Sequence, residues 1–219
     1  MTILTGPERP AAAGEADSLV IFLHGYGADG NDLIGLADPL SPHLPRTRFL
    51  APNAPERCRN NPAGYQWFPI PWLDGSSEAE ATAAARRAFA LLDGWLDGIA
   101  AGMPPGRTIL FGFSQGTMMA LHVGLRRAVP CAGIVGFSGR LLLPDLLPAE
   151  IASRPPVLLV HGDQDPMVPV VSLAEAADAL TAAGVETFTH VSAGVGHGIA
   201  PDGLGLALRF ITDRLGAPR

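Results

Sequence analysis

The chain of 219 residues contains no lysine, and its 15 basic residues are all arginine. That absence excludes a phosphate-cradling P-loop lysine, a Schiff-base lysine and a Ser-Lys catalytic dyad. Cysteine is nearly as scarce. Cys58 and Cys131 are too few for a disulfide scaffold or a zinc site. Charged residues make up 16% of the chain and sum to a net charge of -6. This balance favours solubility and argues against a nucleic-acid or anionic-membrane partner, which would need a basic face. No apolar run reaches membrane-spanning length, so no stable membrane insertion is expected. The opening MTILTGPERPAAAGEADS has no basic segment leading into an apolar one, so the expected location is the cytoplasm.

What is present is apolar. Hydrophobic residues at 47% are enough to fill the core of one domain spanning 1–219. Short apolar runs at Ser18–Leu23, Arg48–Ala51, Thr108–Phe113, Cys131–Phe137, Pro156–Val160 and Glu186–Val191 predict strands. Helical patterns lie between them. Asn31 or Asp32 can cap a helix through Leu33 and Leu36, and an alanine-rich helix runs from about Ser77 to Ala101. Further helices are expected over Ser172–Ala183 and Leu204–Leu215, while Glu56 to Ser77 reads as a long irregular loop. Apolar strands alternating with helices predict an α/β fold, a mostly parallel sheet covered on both faces. Functional residues in such sheets gather beyond the carboxyl ends of the strands.

One such strand end carries Gly112-Phe113-Ser114-Gln115-Gly116, a G-x-S-x-G pentapeptide followed by a small-residue helical run. Strand, sharp turn and helix are the context of a nucleophile elbow. The serine backbone is strained there, and glycine on either side avoids collision with the neighbouring strand and helix.

A serine nucleophile needs a base and an orienting acid, in the chain order Ser, Asp or Glu, His. His122 lies two turns into the helix and reads as structural, and His190 sits within a strand pattern. His161 closes a strand and is expected to hold the following loop. His197, in a glycine-bounded loop between the last strand and the last helix, is the favoured base. Asp163 and Asp165 compete for the acid in HGDQDPMVP. The proline after Asp165 biases it to an extended backbone that reaches toward the last loop, whereas Asp163 can tie its own turn. The oxyanion donors are expected to be the amides of Gln115 and, in the early HGYG loop, Tyr26. His24 is expected to hold that loop.

The elements FLHGYGADGNDL, FLAPNAP, GFSQG, GFSGRL, HGDQDPMVP and GVGHGI, in this order, resemble the phospholipase/carboxylesterase family. That family includes bacterial carboxylesterases and acyl-protein thioesterases, and the resemblance runs from about Ser18 to Leu215. It implies an α/β-hydrolase without a large cap domain, with no cofactor and no metal, acting on a small-molecule ester or thioester, and it allows a homodimer. Carried over motif by motif, it places the nucleophile on Ser114, the acid on Asp165, the base on His197 and the oxyanion amides on Tyr26 and Gln115. Trp67 and Phe68 are expected in the acyl-side wall, and Trp72, Met167 and Val168 are expected to bind substrate with them. Relatives often carry an aspartate after the tryptophan and aromatic; here Gln66-Trp67-Phe68-Pro69-Ile70-Pro71-Trp72 has none.

The expected reaction is therefore ester hydrolysis through an acyl-enzyme, with an acyl-protein thioesterase or lysophospholipase as the alternative. A non-catalytic binding protein on the same scaffold is the rival from another class. The ordered Ser, Asp and His argue against it.

Overall fold

The computed structural model describes residues 4–216. Its sheet has seven strands in the order β1-β3-β2-β6-β7-β8-β9. These are β1 (Glu8–Arg9), β2 (Ser18–Leu23), β3 (Thr47–Leu50), β6 (Thr108–Phe113), β7 (Gly133–Phe137), β8 (Val157–Gly162) and β9 (Thr187–Ser192). Only the short edge strand β1 runs antiparallel to its neighbour. A separate two-stranded hairpin pairs β4 (Glu56–Arg57) with β5 (Tyr65–Gln66). The helices are α1 (Gly30–Ile34), α2 (Ala37–Leu40), α3 (Pro71–Asp74), α4 (Glu78–Ala100), α5 (Gln115–Arg126), α6 (Leu147–Glu150), α7 (Val171–Ala182) and α8 (Pro201–Leu215).

The two-residue period of the strands divides the core into two layers. Leu19, Ile21 and Leu23 of β2 join Leu110, Ile134 and Leu159 on the side covered by α4, α5 and α7. Val20 and Phe22 join Ile109, Phe111, Val135 and Val160 on the side covered by α1, α2 and α8. Phe22, Phe111 and Phe137 are fully buried and pack as neighbours, with ring centroids 5.2 Å apart in each successive pair. Burying each such ring contributes about 1.5–3 kcal/mol. This two-sided burial is why the central strands read as unbroken apolar runs.

The long helix α4 begins at a capping box, in which Ser77 accepts from the Glu80 amide and Glu80 reaches back to the Ser77 amide. Its start one residue after Ser77 matches the expected element. The cap of α1 differs from expectation. Asp29, rather than Asn31 or Asp32, is the cap, and its carboxylate accepts the Asn31 amide at 2.8 Å. The stretch expected as one helix, running through Ala37 to the Pro39–Pro45 region, forms two short helices, α1 and α2, with Gly35 and Leu36 between them. The segment expected to be an irregular loop holds β4, β5 and α3. No helix among the described residues is long and apolar enough to cross a membrane.

Candidate active site

The site forms beyond the carboxyl ends of β2, β6, β7 and β8, where each following turn leaves the sheet. At the end of β6, Ser114 adopts φ 53° and ψ -115°, a left-handed conformation that a non-glycine residue holds only when its surroundings impose it. They do so here. A Cβ on Gly116 would lie 1.8 Å from the Leu23 carbonyl oxygen, and one on Gly112 would lie 2.4 Å from the Thr117 amide nitrogen. Both flanking positions therefore require glycine. The Ser114 amide donates to the Phe137 carbonyl at 2.8 Å, and the Thr117 hydroxyl donates to the same oxygen at 2.8 Å. The elbow is thus tied to the end of β7.

Asp165 lies in the turn after β8. One carboxylate oxygen accepts the Met167 and Val168 amides at 2.8 and 2.9 Å, and the other lies 2.7 Å from His197 Nδ1. A carboxylate only accepts, so His197 donates its Nδ1 proton to Asp165. Burial pushes the Asp165 pKa up, but the bonds from Val168, His197 and Met167 outweigh it and hold the acid below the usual carboxylate range. His161 braces the turn from behind: its Nε2 donates to the Val168 carbonyl at 2.8 Å and lies 3.3 Å from the second Asp165 oxygen. Asp163 departs from expectation. Its carboxylate accepts the Gly194 amide at 2.7 Å, linking the turn after β8 to the His197 loop instead of closing its own turn. The Gln164 amide adds a second link to the Val195 carbonyl at 2.9 Å. Acid and base loops are therefore one unit.

The early glycine loop closes the other side. Neither the Tyr26 nor the Gln115 amide has a hydrogen-bond acceptor among the described residues. Gln115 is the first residue of α5, so its amide also lies at the positive end of the helix dipole. His24, wholly buried, accepts the Ala54 amide at Nε2 (3.0 Å) and donates from Nδ1 to the Gly25 carbonyl (2.7 Å). Burial lowers its pKa and keeps it neutral. It holds the loop, as expected.

Ser114, Tyr26, Gln115 and His197 line one cavity of about 410 Å³. Its walls are largely apolar, with Phe68, Trp72, Phe89, Met118, Met167 and Val168 among them. No hydrogen bond joins Ser114 to His197 among the described residues, although both face this space. Such contacts are often long or misaligned in the absence of substrate.

Trp67 is the correction. It was expected in the acyl-side wall, but it is fully buried beneath it and takes no part in the cavity lining. Its indole N–H donates to the His24 carbonyl at 3.0 Å, and its amide donates to the Gln115 side-chain oxygen at 2.9 Å. The Gln115 side chain also donates to the Phe68 carbonyl at 2.8 Å. Gln115 thus clasps the aromatic loop to the elbow, a role that sequence reading missed because it gave Gln115 only an amide. Asp74 was missed too. It receives the Tyr26 hydroxyl at 3.0 Å and the Ile70 and Ser76 amides at 2.9 Å each. Burial would raise its pKa, but these bonds prevail and hold it at about 2. Asp74 therefore anchors the loop that the aspartate-free QWFPIPW segment leaves without a local carboxylate.

Residues 8–215 match the family described as Phospholipase/Carboxylesterase. The chain is 31% identical over 225 residues to acyl-protein thioesterase 1 of Neurospora crassa, covering 94% of this chain and 90% of that protein. It is 30% identical over 209 residues to acyl-protein thioesterase 1 of Schizosaccharomyces pombe, covering 91% and 92%. Among solved structures, that of esterase PE8 superposes with a TM-score of 0.93 at 47% identity, covering 98% of this chain and 100% of that one. The chain belongs to the phospholipase/carboxylesterase family of α/β-hydrolases and is a carboxylesterase-type hydrolase.

Proposed function

We propose that this chain hydrolyses carboxylic esters of short to medium acyl chain through Ser114, His197 and Asp165, its 219 residues acting as one domain. The observation that carries this reading is the hydrogen bond between Asp165 and His197 Nδ1, beside a strained serine and two unfilled amides in one apolar cavity. In the first half-reaction the Ser114 oxygen attacks the ester carbonyl carbon while His197 Nε2 takes the hydroxyl proton. Asp165 holds the ring orientation and stabilises the imidazolium. The amides of Tyr26 and Gln115 receive the oxyanion, and losing one such donor typically costs about 3 kcal/mol in barrier. Collapse breaks the carbonyl–oxygen bond, the alcohol leaves with the proton from Nε2, and water repeats the sequence on the acyl-serine. Phe68, Trp72, Met167 and Val168 contact the acyl or alcohol group.

The test is hydrolysis of p-nitrophenyl esters of increasing chain length by wild type and Ser114→Ala. Turnover should fall by at least about 10³-fold in the variant, with the circular-dichroism spectrum unchanged. Equal turnover by wild type and Ser114→Ala would overturn the assignment of the nucleophile. A second reading, acyl thioester hydrolysis, is favoured by the names of the fungal relatives. A matched pair of oxygen and sulfur esters separates the two by the ratio of their kcat/KM values.

A further inference from the structure

The arginines of this lysine-free chain are nearly all engaged. Nine of them pair with carboxylates, Arg57 lies over the Tyr65 ring, and Arg154 donates to the Ala183 carbonyl. Among the described residues, only the side chains of Arg86, Arg140 and Arg209 have no ion-pair, hydrogen-bond or aromatic partner. Arg209 lies on the exposed face of α8. Arg86 and Arg140 both line the cavity that holds Ser114.

Arg140 is delivered there by a constrained stretch of backbone. After β7 the chain turns at Ser138, whose φ is 47°, with its amide bonded to the Val160 carbonyl at 2.9 Å. A Cβ on Gly139 would lie 2.4 Å from Thr117 Cβ and 3.0 Å from the Ser114 carbonyl oxygen. The residue before Arg140 is therefore pressed against the backbone of the nucleophile. A left-handed serine persists only where its surroundings over-determine it, and such strain gathers at functional sites. The Arg140 side chain itself is exposed. No carboxylate among the described residues pairs with it. Glu175 lines an adjoining hollow with Arg140, and Glu78 shares an outer hollow with Arg86, but neither glutamate forms an ion pair with an arginine among the described residues.

We propose that Arg140 recognises a carboxylate carried by the substrate, so that the site prefers esters with an anionic group remote from the scissile bond over neutral ones of equal length. This rests on the reading of Ser114 as nucleophile. A guanidinium presents a planar fork that matches a carboxylate and is less strongly hydrated than an ammonium. A chain of net charge -6 otherwise repels such a substrate, and an unpaired cation at the mouth supplies a local attraction. The apolar middle of the substrate then lies against Phe68 and Phe89, and Arg86 adds to the attraction from the wall.

The experiment compares kcat/KM within two pairs of esters. Mono-p-nitrophenyl adipate against p-nitrophenyl heptanoate places the charge on the acyl side. The butyrate ester of para-hydroxybenzoate, against that of its methyl ester, places it on the leaving side. In at least one pair, Arg140→Gln should lower the anionic-to-neutral ratio about three- to fivefold, the size expected of an exposed ion pair. The wild-type ratio in that pair should shrink as salt rises. Arg140→Lys should retain part of the preference, and Arg209→Gln should behave as wild type. A ratio unchanged by Arg140→Gln in both pairs overturns the proposal. Cleavage of these esters by a folded Ser114→Ala at the wild-type rate would instead overturn the assignment of Ser114, which makes the two failures distinguishable.

Discussion

His24, His122 and His161 are all buried, and their surroundings give each a different task. His24 and His161 find hydrogen-bond partners in the loops they hold. His122 does not: it stacks on Phe89 with ring centroids 3.6 Å apart, and its Nδ1 is buried without a partner. Burial is the largest cause that lowers its pKa to about 4, with the nearby Arg126 charge adding to it. The folded state thus binds this proton more weakly than the unfolded chain, whose value is near 6.5. Stability from His122 is fully present above about pH 6.5 and is lost as pH falls from there toward 4. Urea unfolding of wild type should therefore show a falling midpoint between pH 7 and 4.5, and His122→Phe, which keeps the stack, should flatten that slope. An unchanged slope would show that other groups set it. At this scale the meeting of Asp165 with His197 was legible because chain order and strand ends constrain it tightly. Trp67 was not legible, because an indole beside a cavity and one beneath it look alike until Gln115 and His24 are seen to hold it.

The turn after β6 and the aromatic loop act together through Gln115. Its side chain satisfies the Trp67 amide and the Phe68 carbonyl, two buried backbone groups far from it in sequence. Gln115→Leu leaves both unpaired, at about 1–3 kcal/mol each. Chemical unfolding should show a loss of about 2–6 kcal/mol, together with a raised KM as Phe68 loses its fixed place in the wall. A loss below about 0.5 kcal/mol would mean that the loop is held elsewhere. The hairpin β4–β5 in this region escaped sequence reading because two-residue strands carry no period. Its position is set by contacts distant in sequence. A Cβ on Gly64 would lie 2.0 Å from the Gly27 carbonyl oxygen, and Tyr65 bridges to Ala28. The long elements, by contrast, announced themselves: the Ser77 cap, the apolar run of β6 and the small residues of α5 each carry a local signal.

Across the whole molecule, the distant parts of the sequence meet at Arg107. Its guanidinium donates to the Asp17 carbonyl at 2.9 Å, the Asp17 carboxylate at 3.0 Å and the Leu215 carbonyl at 2.8 Å. It so joins the start of β2, the start of β6 and the end of α8 on the side of the sheet away from the active site. Because this arginine is mostly buried, with its side chain 28% exposed, Arg107→Met should lower stability by about 1–3 kcal/mol, measured by thermal or urea unfolding. Ester turnover at 25 °C should be unaffected, since Arg107 lies at the opposite strand ends. A matching loss of turnover in the folded variant would refute that separation. The parallel sheet as a whole was legible from the alternation of apolar strands and helices. The antiparallel β1 was not, since Glu8–Arg9 is charged and only two residues long.

The two borders of this sheet are unlike. At one, β1 is short and its ends are occupied by ion pairs of Arg9 with Asp38 and of Arg48 with Glu8. At the other, the six-residue β9 leaves Phe188 and Val191 exposed. A border with free backbone donors and acceptors can accept a strand from another molecule, and a charged, truncated border cannot readily do so. With a single receptive border among the described residues, joining two molecules border to border consumes both. Growth by this route ends at a closed pair and cannot propagate into a fibre.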